Sequence, residues 1–86
     1  MLREIDVLEA GFQPTQVPVL ADAYVQALSV VERCRPIDEA LEARLADAIL
    51  MEAQRRVKLG LGLRHRYDAN ILATMAAGFL FHESHP

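Results

Sequence analysis

The chain has a single cysteine, Cys34, among its 86 residues, so no disulfide can close within it. Its thiol content gives no sign of an oxidising compartment. No apolar run approaches the roughly 18 residues that span a bilayer. The opening residues, MLREIDVLEAG, lack the cationic start and apolar stretch of a secretory signal. A cytoplasmic protein with no membrane association is therefore expected. No segment repeats and none is of low complexity. The Gly-Lys-Ser/Thr of a phosphate loop is absent, and the GLG at 60–62 has neither the preceding strand nor the third glycine of a dinucleotide fingerprint.

Nucleophiles are scarce too. Cys34 falls on the apolar stripe of a predicted helix and reads as a small core residue. Ser29 lies on a polar helix face and Ser84 in the C-terminal tail. His82, Glu83 and His85 are plausible ligand types, but a site needs three or four converging groups with a supporting shell. No enzyme activity, cofactor or metal site is expected.

Hydrophobic residues are plentiful at 52%, and with a net charge of only −3 this excludes a disordered chain. A chain of this length buries only about 60–65% of its unfolded surface. Its apolar excess must go into a tight core or a subunit interface. Charge is unevenly placed, with a balance of −6 over residues 1–54 and +3 over residues 55–86. Such a chain can associate head to tail, offer its basic end to an acidic partner, or fold so that the halves neutralise each other.

Three helices are predicted. Leu20, Ala23, Tyr24, Ala27, Val31 and Cys34 recur at three- and four-residue spacing opposite Asp22, Gln26, Ser29 and Arg33, which places a helix at about 16–34. Pro36 ends it and helps start a second, at 37–58, with Asp38 and Glu39 at its positive end. Leu41, Leu45, Ile49, Ala53 and Val57 form its stripe, which Ala46 and Leu50 widen; Glu52 and Arg56 stand four apart in the favourable order for an ion pair. A third helix, about 68–82, starts with Asp68 as N-cap and buries Ile71, Leu72, Met75, Ala76, Phe79 and Leu80. Residues 1–15 form an irregular arm in which Leu2, Ile5 and Leu8 suit a short helix, and Ile5 and Val7 a short strand. Either ends at Gly11, and Phe12 enters the core. The fold class is thus all-α, a small three-helix bundle with an irregular N-terminal arm, in one domain spanning 1–86.

Two surfaces are candidates for function. The wide apolar arc of the second helix, and Phe81 lying off the core stripe, point to a homodimer or another protein partner met through Leu50, Val57 and Phe81. The alternative is nucleic acid, met by Arg55, Arg56, Lys58, Arg64 and Arg66 in RRVKLGLGLRHRYD, with Tyr67 able to stack on a base. The overall acidity and the long gap from Val57 to Asp68 speak against a helix-turn-helix reader. Within that stretch Gly60 or Gly62 is expected to cap the preceding helix in a left-handed conformation.

The segments FQP at 12–14, LADAILMEA at 45–53 and YDANIL at 67–72 follow one another in a layout that resembles a family of small all-helical bacterial proteins with no established activity. The family has an aromatic-x-Pro start, an LA..I...A core helix, a Gly-Glu-Arg-Asp turn and a last helix with Leu four residues after the Asp. The likeness covers residues 12–81 and departs at the turn, where GLRHRYD puts Gly62 six residues before Asp68 and Arg66 two before it. It implies the helical fold and brings no activity with it.

Overall fold

Four helices and no strand make up the described residues of the computed structural model, 2–64 and 66–84. They are α1 (Glu4–Glu9), α2 (Val17–Glu32), α3 (Glu39–Lys58) and α4 (Arg66–Ser84), with a 3₁₀ turn at Pro14–Gln16 leading into α2. The short connections 33–38 and 59–65 make successive long helices antiparallel neighbours. None of the described helices is long and apolar enough to cross a membrane.

The N-terminal arm is ordered rather than irregular, and of its two possible conformations it takes the helix. Arg3 ties its first turn, its guanidinium reaching Asp6 at 3.1 Å and its backbone N–H donating to the same carboxylate at 3.0 Å. Those contacts, the side-chain one first, hold the Asp6 carboxyl below its ordinary pKa. The helix ends at Gly11, whose φ of 97° only glycine adopts readily. There Gly11 N–H donates to Leu8 carbonyl and Phe12 N–H to Val7 carbonyl, closing a Schellman cap. The cap drives Phe12 and Val7 together into the core.

α2 stops two residues short of its expected end, because Pro36 forces the chain out of helical geometry ahead of it. Cys34 therefore sits in the turn and is exposed, not part of the core stripe. α3 begins one residue after Asp38, which is its N-cap and accepts the Leu41 N–H at 2.8 Å. α3 ends at Gly60 with φ 77°, in a second Schellman cap: Gly60 N–H to Val57 carbonyl, Leu61 N–H to Arg56 carbonyl.

Val7, Leu20, Val31, Leu45, Ile49 and Leu72 are the largest wholly buried side chains. Around them the helices approach through small residues, Ala23 and Ala27 on α2 and Ala69, Ala73, Ala76 and Ala77 on α4, all buried. α2 and α4 form the most extensive contact of the bundle. Because alanine spends little of the inter-helix gap, backbones come near enough for dispersion to replace some of the missing apolar bulk.

Against this core lies a polar group. The Tyr24 hydroxyl is buried without a hydrogen-bond partner among the described residues. Burial, and secondarily the charge of Glu42, pushes its pKa above the ordinary 10. The folded state thus holds that proton more tightly than the unfolded chain does. Its contribution is constant below the unfolded pKa near 10 and is lost as pH rises from there through the raised folded value.

Two expectations follow. Gly60→Ala should lower unfolding stability in urea by about 1 kcal/mol, purely through its φ, since an added Cβ would meet nothing within 4 Å. Gly62→Ala should be near neutral; its Cβ would lie an ordinary 3.7 Å from Asp68. Equal costs at the two positions would refute the cap. Tyr24→Phe should be neutral or slightly stabilising at pH 7. Its advantage over the parent should widen in thermal melts above pH 10, and a clear loss at pH 7 would mean that the hydroxyl has a partner.

Candidate functional site

The RRVKLGLGLRHRYD stretch is where three elements meet, and its charges divide unequally. Arg55 turns outward to Glu52, at 3.4 Å, three residues away. The expected Glu52–Arg56 pair is not formed, because Arg56 turns inward instead. Its Nη2 donates to Asp68 Oδ1 at 2.9 Å, with only 12% and 10% of the two side chains exposed. A longer bond of 3.5 Å runs from the same nitrogen to the Gly62 carbonyl, and the Arg56 Nε is buried with no partner among the described residues. Asp68 also accepts the Arg64 N–H at 3.1 Å. The helix starts at Arg66, two residues before its expected N-cap, so Asp68 lies in the first turn, where its charge suits the positive helix end.

This ion pair staples the end of α3 to the start of α4. Between them the loop inserts Leu63, buried among the core residues, while Leu59 and Leu61 stay exposed. Nothing in the helical periodicity marked Leu63, and the i, i+2 spacing of Leu59, Leu61 and Leu63 did not distinguish it from its two exposed neighbours.

Of the five predicted basic contacts, Arg56 is therefore structural and Arg55 is paired. Lys58, Arg64 and Arg66 are exposed. Lys58 and Arg64 border a groove between the α1–α2 connection and the end of α3. It consists of two adjoining clefts, of about 570 and 540 Å³, which share Gln13, Gln16 and Val57.

The three predicted protein contacts do not form one surface. Val57 is 46% exposed and lies in this groove. Leu50 is half-buried against the core and borders a different cleft, beside Asp6, Glu9 and Asp47. Phe81 is also half-buried, packed on the core. The expectation that it stands free is corrected, because α4 rolls so that Ala77 and Leu80 face inward and carry Phe81 against the bundle's side.

The same roll exposes residues expected inside. Met75 is 37% and Phe79 49% exposed, and Ile71 is half-buried. With Tyr67, 72% exposed, they line the outer side of α4. Thr74 belongs to this side, but its hydroxyl donates back to the Asn70 carbonyl at 2.9 Å, so its polarity is satisfied inside the helix. Gly78 is exposed as well, and a Cβ added to it would meet nothing within 4 Å.

Ser29 is exposed, and so is His82. His65 and His85 lie outside the described residues; among those described, no group of three His, Cys, Asp or Glu could hold a metal. No protein-family model, curated protein or solved structure matches this chain.

Asp68→Asn and Arg56→Met should each cost about 3 kcal/mol in denaturant melts, since each removes one ion of a largely buried pair. The double variant should be less destabilised than the sum of the two. Strict additivity would show that the pair is not coupled.

Proposed function

We propose that this protein is a non-enzymatic, cytoplasmic interaction module that pairs with a second copy of itself along the outer face of α4. One observation carries the reading: α4 is apolar on both sides, with its inner face spent on the core and its outer face uncovered. A helix apolar all round is normally buried all round.

The outer face is also self-complementary. Tyr67, Ile71, Thr74 and Gly78 recur at four-, three- and four-residue intervals, the seam spacing of paired helices. In an antiparallel pair related by a two-fold axis midway along 67–78, Tyr67 of one copy stands opposite Gly78 of the other, and Ile71 opposite Thr74. A large ring then meets a missing side chain, twice by symmetry. Glycine in a helix interior costs about 1 kcal/mol relative to alanine, and nothing within the protomer requires it at 78. A facing tyrosine does. The same register sets Arg66 against the partner's Phe79. A contact limited to one helix per copy supports a dissociation constant of about micromolar order, with area below that of obligate dimers.

Sedimentation equilibrium at rising concentration should show monomer–dimer exchange. Gly78→Leu fills the notch and should yield monomer with its helical circular dichroism intact. Met75→Glu should do the same. A parent protein that stays monomeric at hundreds of micromolar, or a Gly78→Leu variant that dimerises as before, would sink the reading.

A further inference from the structure

The groove beside the end of α3 differs in charge from the other concave surfaces. The protein carries 12 acidic residues against nine basic, yet among the described residues no Asp or Glu lines either half of it. By contrast, the cleft bordered by Leu50 holds Asp6, Glu9 and Asp47, and the one beside Tyr24 holds Glu42. Lys58 borders one half of the groove and Arg64 the other, neither with a carboxylate partner among the described residues.

Its polar groups are set to donate. The Gln16 Oε1 accepts the Gln13 N–H at 2.8 Å, which fixes the carboxamide and leaves its NH₂ hydrogens for something else. Thr15 adds a hydroxyl in the half that Arg64 borders. Between the cations the floor is aliphatic: Val57 is shared by both halves, with Leu61 beside it. A ligand that suits this lining carries negative charge at both ends and a branched aliphatic group between.

We propose that this groove binds an acidic peptide segment of a partner protein, with an aliphatic side chain on Val57 and Leu61 and flanking carboxylates met by Lys58 and Arg64. Two features favour a peptide over a single nucleic-acid strand. The lining holds no exposed aromatic ring on which a base could stack, Phe12 being buried, and stacking is what such sites use. Two of the five bases in the 55–66 segment are also already held by carboxylates. The site is independent of the pairing along α4.

The test is fluorescence anisotropy with a short labelled peptide alternating Glu and Leu, a second peptide with Lys for Glu, a third with Ser for Leu, and a labelled oligothymidylate. The Glu/Leu peptide should bind, more weakly as salt is raised. The Lys peptide should not bind, and the Ser peptide only weakly. Lys58→Gln with Arg64→Gln should weaken binding by about tenfold or more, as should Val57→Asp. These three positions are exposed, so the fold should survive, as circular dichroism would verify. Gly78→Leu should bind the peptide unchanged, which separates failure here from failure of the dimer. The proposal is overturned by no binding to the Glu/Leu peptide, by equal binding of the Lys peptide, or by an unaltered double variant. It is likewise overturned if the oligothymidylate binds through Lys58 and Arg64 and displaces the peptide.

Discussion

Between Arg56 in the last turns of α3 and Asp68 in the first turn of α4 runs a hydrogen bond of 2.9 Å, and the uncovered face of α4 takes its position from it. A charged pair so largely withdrawn from water contributes little net stability, because the desolvation of both ions offsets their attraction. Its value lies in what it forbids. Separating the two helix ends would break a largely buried ion pair. The pair therefore sets the separation of the two helix ends, aims Arg64 outward through the bond from its backbone to Asp68, and closes the loop over Leu63.

The rotation of α4 follows from this anchor together with the alanines. Once Asp68 faces α3, a turn of 100° per residue carries Ala69, Leu72, Ala73, Ala76 and Leu80 onto the core and leaves Ile71, Met75, Gly78 and Phe79 outside. Small side chains then allow α2 and α4 to lie close. A bundle of 86 residues reaches an adequate core this way with few large side chains, and Tyr67, Met75 and Phe79 of α4 are left on its other side. The core and the uncovered face are two consequences of one rotation.

The groove has a different origin. It lies where the 3₁₀ turn leading into α2 meets the capped end of α3, so its residues come from parts of the chain some forty positions apart. Separately, Gln13, Gln16, Lys58 and Arg64 are ordinary surface residues. The packing of the N-terminal segment on α2, with the Gly11 cap and the Gln54 bond to the Ala10 carbonyl at 3.4 Å, puts them on one concavity.

Local signals in the sequence determined a good deal. Apolar spacing located the three long helices, Pro36 marked the break between the first two, and glycine in a cationic helix end announced a left-handed cap, which Gly60 rather than Gly62 forms. These depend on a few neighbouring residues, so they can be read along the chain. What only the tertiary structure decided was direction: which side of α4 faces in, and whether Arg56 answers Glu52 or Asp68. Periodicity could not choose a face for a helix apolar on both sides, so Phe79 and Phe81 exchange their expected roles. Nor could spacing choose a partner for Arg56. An exposed pair four residues apart is worth a few tenths of a kcal/mol, and that preference gives way once folding buries Asp68 within reach.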